Sequence, residues 1–262
     1  MRKLNYVWRL LMTGVAFSLF SIGGLMITLL ACPVIRLLPG DANRRRERTQ
    51  WLIHKLFGVF VGFMCTVGIM RLHLKNADAL AEARGALVLA NHPTLIDVVV
   101  MISLMPRSDC VVKGALWNSP FLGGVVRAAG YISNAKSSEA LVESCVDALQ
   151  QGGALVIFPE GTRTQPGAPM RFLRGAAHIA LGCEQPILPV VLSCDPPTLS
   201  KGRPWYDIPP RRFEYRLEVK SPLSVSDLIE PDLPGTLAVR RLTVALENHF
   251  ALELAACGQS AH

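Results

Sequence analysis

From Leu10 to Ile35, 26 residues pass without one Asp, Glu, Lys, Arg or His, and Arg9 and Arg36 bracket the run. A helix needs only about 20 apolar residues to cross the hydrocarbon core of a bilayer, so this run predicts a transmembrane helix over about residues 10–35. The run is longer than the ~7–15 residues of a secretory signal, which favours a retained helix even though Leu29-Leu30-Ala31-Cys32 resembles a lipoprotein cleavage box. A second apolar stretch, Leu56 to Met70, has 15 uncharged residues and is too short to span. It predicts an interfacial or domain-docked helix over about residues 51–71.

Charge follows the same division. Residues 1–75 hold 11 Lys+Arg against 2 Asp+Glu, a net +9, whereas residues 76–262 hold 16 against 18, a net −2. A basic excess confined to the apolar segment suits an anchor facing anionic lipid, and the cluster Arg44, Arg45, Arg46, Arg48 reads as juxtamembrane rather than as a nucleic-acid patch. Six Lys+Arg lie between Arg36 and Lys55 and three precede the long run, so the positive-inside rule places everything downstream in the cytoplasm. Seven cysteines without a CxxC pair predict neither a disulfide framework nor a zinc site, and no metal site is expected.

After residue 76 short β-rich runs alternate with helical stretches. Strands are expected over residues 86–90, 110–113, 130–133, 154–158, 187–192 and 213–220, and helices over 94–104, 121–129, 137–150, 175–181 and 237–254. That alternation predicts an α/β fold: a mixed sheet flanked by helices, preceded by the membrane helix. Residues 1–76 are read as the anchor and 77–262 as a catalytic domain. The connection Ser193 to Arg211, rich in proline, charge and aromatics, is long enough to carry a function of its own.

Two clusters carry chemistry. Asn91-His92-Pro93-Thr94-Leu95-Ile96-Asp97 follows the strand at residues 86–90. Proline suits the first helical position, so a helix beginning at Pro93 would put Asp97 in its second turn, leaning back toward one ring nitrogen of His92. A carboxylate there fixes the imidazole tautomer and leaves the other nitrogen free as a general base. Phe158-Pro159-Glu160-Gly161-Thr162-Arg163 also ends a strand, and there Arg163 offers a donor fork and Thr162 a hydroxyl to an anion.

An NHxxxxD motif followed about 60 residues later by FPEGTR resembles the PlsC-type glycerolipid acyltransferases, the 1-acylglycerol-3-phosphate acyltransferases. The resemblance covers about residues 77–220. It implies transfer of a fatty acyl group from acyl-CoA or acyl-carrier protein to the free hydroxyl of a lysolipid, most simply 1-acylglycerol-3-phosphate giving phosphatidic acid. Acyl-CoA or acyl-carrier protein would be a co-substrate and no cofactor would be needed. His92 would be the base and Asp97 its partner, Asn91 would belong to the site, and Glu160, Gly161, Thr162 and Arg163 would bind the acceptor. Ile187-Leu188-Pro189-Val190 would match the family's fourth motif, near the acyl site. Where the family carries an arginine for the acceptor phosphate, this chain reads Gly130-Tyr131-Ile132-Ser133-Asn134. Asn134 is uncharged, so either Lys136 or Arg163 would supply the charge, or the acceptor is a different lysolipid. A lipid-binding relative without turnover is the reading from another class. The partners expected are membrane lipid and the acyl donor, not nucleic acid, and the expected place is a bacterial inner membrane, single-pass, with the catalytic domain on the cytoplasmic face.

Overall fold

The computed structural model describes residues 2–183 and 185–259. The long apolar run forms α1 (Arg2–Met26), a π-turn (Ile27–Ala31) and α2 (Cys32–Leu37). The π-turn has a cause in Pro33: proline cannot donate to the carbonyl four residues back and its ring crowds it, so the ladder widens by one residue there. Among the described residues this Lys3–Leu37 helix is the one long and apolar enough to cross a membrane.

The second helix, α3 (Ala42–Thr66), starts nine residues earlier than the apolar stretch suggests, because Asp41 caps it by accepting from the Arg44 amide at 2.8 Å. Gly68, at φ +80°, ends it, and the chain enters β1 (Met70–Lys75) directly. That strand was not expected. It is an edge strand with polar residues between its apolar ones, and the neighbouring helical run masked its alternation.

The rest runs α4 (Asp78–Ala81), β2 (Leu87–Ala90), α5 (Asp97–Leu104), β3 (Asp109–Val112), α6 (Gly114–Trp117), α7 (Gly123–Ala128), β4 (Ile132–Ser133), α8 (Ser138–Gln150), β5 (Leu155–Ile157), α9 (Gly175–Cys183), β6 (Ile187–Asp195), β7 (Phe213–Val219) and α10 (Gly235–Gln259). The sheet order is β1-β7-β6-β2-β5-β3-β4, mixed because β7 runs antiparallel to β6. The sheet therefore begins at Met70, inside the segment read as anchor.

β2 lies at the middle of the sheet and is buried on both faces, as its unbroken Leu87-Val88-Leu89-Ala90 requires. Val88 and Ala90 face one apolar core with α3, α5 and α7, while Leu87 and Leu89 face a second with α8, α9 and α10. Full burial of each such leucine or valine side chain contributes about 1.5–3 kcal/mol. β2, β3, β4, β5 and β6 run parallel, so their C-terminal ends share one edge, where open α/β sheets hold their ligands.

The N-terminal helices are part of this body. α3 packs along α5. Its Arg46 pairs with the buried Asp109 of β3, and Gln50 donates to the same carboxylate at 3.0 Å and to the Ala129 carbonyl at 3.0 Å. Arg46 is thus committed to the protein interior, not to a lipid-facing arginine cluster, because a buried carboxylate needs a paired cation.

Candidate active site

The site grows from the end of β2. Asn91 continues the strand pairing with its side chain: Nδ2 donates to the Leu192 carbonyl at 2.8 Å and Oδ1 accepts from the Leu192 amide at 2.7 Å. A side-chain amide has the donor and acceptor of a peptide, so Asn91 locks β2 to β6 just before the chain turns. Both ends of its amide bond backbone, and its place is beneath the site.

His92 then emerges with its ring tilted by 30° against Phe158, centroids 4.3 Å apart, and its side chain 16% exposed. Nδ1 lies 2.7 Å from Asp97 Oδ2. The helix does not begin at Pro93 as the motif suggested. Residues 93–96 form an irregular turn and Asp97 is the first residue of α5. The turn folds around the carboxylate, whose Oδ2 also accepts from the Thr94 amide at 2.9 Å, an interaction that competes with starting the helix earlier.

Asp97 is fully buried and its Oδ1 accepts from the Tyr215 hydroxyl at 2.9 Å. Burial raises its pKa, and the bonds from His92, Thr94 and Tyr215 oppose that rise by favouring the charged form. A carboxylate is an acceptor only, so Nδ1 is the protonated nitrogen and the Nε2 lone pair is available, with no protein partner among the described residues. Tyr215, fully buried on β7, has its own pKa pushed well up by burial and stays a donor. The sequence contained one signal for it: Phe213, Tyr215, Leu217 and Val219 alternate inward, and a buried tyrosine hydroxyl needs a partner.

The second motif closes on the first. Glu160 Oε1 accepts from the His92 amide at 2.7 Å, and the Thr164 amide donates to the His92 carbonyl at 3.0 Å. Burial raises the Glu160 pKa, and its Oε2 is buried without a protein partner. Gly161 sits at φ +65°, the left-handed region that favours glycine, while a Cβ there would meet only the movable end of the exposed Leu173 side chain. Arg163 Nη1 donates to the Leu199 carbonyl at 2.6 Å and lies 3.4 Å from that of Ser200. Thr162 and Arg163 line a cleft of about 340 Å³ with Glu160.

Asn134 and Lys136 stand apart from this group. They follow β4, three strands from β2, so by sheet spacing about 14 Å separates the two strand ends. Asn134 Oδ1 accepts from the Gly114 amide at 3.0 Å, and Lys136 Nζ donates to Ser144 Oγ at 2.8 Å. Lys113, at the end of β3 on the same edge, is a nearer exposed cation that the motif reading passed over. Ile187–Val190 lies within β6 beside β2, contributing to the sheet under the site.

Known proteins resemble this chain in sequence and in fold. The acyltransferase family model matches residues 71–193. The 1-acyl-sn-glycerol-3-phosphate acyltransferase alpha of Mus musculus is 24% identical over 223 residues, covering 80% of this chain and 72% of its own. The 1-acyl-sn-glycerol-3-phosphate acyltransferase of Limnanthes douglasii is 27% identical over 190 residues, 70% of this chain and 60% of its own. The crystal structure of the 1-acyl-sn-glycerophosphate (LPA) acyltransferase PlsC from Thermotoga maritima matches with a TM-score of 0.68 at 18% identity, over 97% of this chain and 99% of that one, which shows a common fold. Motif order, the His92–Asp97 geometry and these matches agree: residues 71–193 of the chain are similar to the acyltransferase family.

Proposed function

We propose that this acyltransferase moves a fatty acyl group from acyl-CoA or acyl-carrier protein to the free hydroxyl of 1-acylglycerol-3-phosphate, giving phosphatidic acid, with no cofactor. The observation that carries the reading is the 2.7 Å His92–Asp97 pair beside the Glu160–Arg163 cleft. His92 Nε2 removes the proton of the acceptor hydroxyl as the oxygen attacks the thioester carbonyl. The thioester C–S bond then breaks, and the proton passes from the imidazolium to the leaving thiolate. Asp97 stabilises the imidazolium in between.

The acceptor is a lipid, and the fold offers it a route. α1 touches the catalytic domain along its length. Trp8 Nε1 donates to the Val67 carbonyl at 2.9 Å, Arg9 donates to the Pro209 and Pro210 carbonyls at 2.9 and 2.8 Å, and Phe17 meets Trp205 at 5.7 Å between centroids. Its other face exposes Leu4, Val7, Leu11, Val15, Leu19 and Ile22. We read this row as lying in lipid while the helix stays against the domain, instead of crossing alone, with the catalytic domain on the cytoplasmic face. The loop residues Trp205 and Phe121 beside it, exposed and apolar, leave the same sheet edge as His92, so lipid and base share a side.

The test is mass spectrometry of products from the membrane-embedded protein, with a panel of lysolipids and both donors. Phosphatidic acid from lysophosphatidate as the dominant product supports the proposal. Wild-type transfer to a zwitterionic lysolipid alone would overturn the acceptor, and transfer to no lysolipid would favour a binding protein.

A further inference from the structure

The connections that leave the catalytic edge of the sheet are charged unlike the rest of the body. Residues 113–122, 134–137, 158–174 and 196–212, together with 91–96, hold 9 Lys+Arg against 2 Asp+Glu, a net +7. The remainder of residues 76–262 holds 7 against 16, a net −9. An anionic surface attracts the catalytic edge of a body so polarised and repels the rest of it. The largest share, 4 Lys+Arg against 1 Asp, belongs to residues 196–212, the long connection between β6 and β7, which no motif covers.

The same connection carries exposed rings at the flank of α1. Trp205 and Tyr206 are 43% and 57% exposed, and they meet edge to face at 5.7 Å between centroids. One side of the Trp205 indole rests on α1, against the Phe17 ring and over Gly14, where a Cβ would reach it at 3.4 Å. Gly14 follows Val7 by about two helical turns, so the indole borders the exposed apolar row of α1. Arg9 fixes the end of the connection through the Pro209 and Pro210 carbonyls. Around the two rings stand the exposed cations Lys201, Arg203 and Arg211. Rings with an apolar body and a polar tip, set among cations, are the composition of a membrane–water boundary.

We propose that the Trp205–Tyr206 tip of the β6–β7 connection is a second lipid-docking element beside α1, and that it lays the basic catalytic edge on an anionic bilayer surface. The inference rests on the reading of α1 as lipid-facing above. An acidic soluble protein would match the charge alone. The exposed rings continue a row that already lies in lipid, and a protein seated on them would itself have to enter the bilayer. A helix lying in lipid holds the body along one line and leaves rotation about that line free. A contact off the helix fixes the rotation, with the edge that carries His92 turned to the headgroups, so a lysolipid reaches the base without leaving the interface. Charge complementarity adds to the same orientation, since anionic headgroups attract nearby Lys and Arg within a Debye length of the surface.

The experiment uses the full chain in vesicles of phosphatidylcholine alone and of phosphatidylcholine with about one-third phosphatidylglycerol. Two measurements need no turnover. Tryptophan quenching by lipids brominated on the acyl chain is compared between wild type and Trp205→Phe, which keeps a ring against Phe17. Wild type should show a quenched component that the variant lacks, and identical quenched emission overturns the lipid contact. Backbone hydrogen exchange over residues 198–207 should slow at least threefold from neutral to anionic vesicles, and equal exchange overturns the charge-driven orientation. Slowing that appears only when an acidic acyl-carrier protein is added would replace the bilayer by a protein partner. Tyr206→Ser, at the more exposed ring, should raise KM for lysophosphatidate in anionic vesicles at least fivefold with kcat within twofold of wild type. An unchanged KM, or a fall in kcat alone, overturns the docking role. Quenching and exchange as expected, with transfer to no lysolipid, would reject the proposed reaction and keep the docking surface.

Discussion

Two turns leave the same edge of the sheet, one after β2 and one after β4, and they are built on opposite terms. In the first, the Asp97 carboxylate takes donors from His92, Thr94 and Tyr215, and the His92 backbone is held by Glu160 and Thr164. In the second, Asn134 and Lys136 are exposed, and their bonds go to the Gly114 amide and a serine hydroxyl. Position on a sheet edge is shared; rigidity and burial are not. A general base needs its orientation fixed before substrate arrives, and only the β2 turn has the buried partners to fix it.

The contrast can be broken hardest at Asp97. Asp97→Asn should cut kcat by about 10²–10⁴, because the imidazolium loses its counter-charge and Asn can present an amide donor to Nδ1. Steady-state kinetics over a lysophosphatidate series would show it, and a loss below threefold would mean the pair is not the base.

Tyr215→Phe removes one donor from a fully buried carboxylate, and leaving that oxygen unsatisfied costs about 1–3 kcal/mol. Thermal unfolding should occur at lower temperature and kcat should fall about tenfold, since roughly 1.4 kcal/mol in a barrier is a factor of ten. Unchanged unfolding would show that the hydroxyl is not holding Asp97.

Glu160→Gln sharpens the comparison from the side of pH. Burial raises the Glu160 pKa, so the folded state favours its protonated form. Relative to an ordinary glutamate, its contribution to stability is full below the unfolded pKa and is lost as pH rises through the raised folded value. Glu160→Gln keeps an acceptor for the His92 amide and removes the buried charge. Its melting temperature should exceed that of wild type at pH 8, with the gap closing as pH falls into the acid range. A gap independent of pH would contradict this origin.

The smallest effect belongs to the β4 turn. Asn134→Arg forfeits one hydrogen bond to Gly114, worth about 1 kcal/mol, at a position some 14 Å in strand spacings from β2. KM for lysophosphatidate should shift less than threefold, and a tenfold shift in either direction would bring that turn into the acceptor site.

The same contrast explains what could be read in advance. The six expected strands all form: the central ones are short apolar runs, since central strands need both faces greasy, and β7 alternates apolar with charged residues. His92, Asp97 and the Glu160–Arg163 segment were legible as a spacing, since each motif is local. The partners that make the site work are remote. Tyr215 is 118 residues from Asp97, and Leu199 is 36 from Arg163. A spacing rule cannot see contacts made by sheet topology. β1 and the early start of α3 were hidden by weaker signals: an edge strand half covered with charge, and a helix whose first turns are polar, with Arg44 and Arg45 exposed, Arg46 paired with buried Asp109 and Arg48 half-buried.

The central claim is that His92 is the base, oriented before substrate binds. The direct measurement is single-turnover acyl transfer by His92→Ala, full chain and saturated with donor and lysophosphatidate, set beside its thermal unfolding. The account predicts a rate at least 10² below wild type, with a folded protein whose unfolding temperature falls about as far as that of Tyr215→Phe, since each variant takes one donor from the buried Asp97 carboxylate. Transfer within threefold of wild type by a folded His92→Ala protein would contradict it.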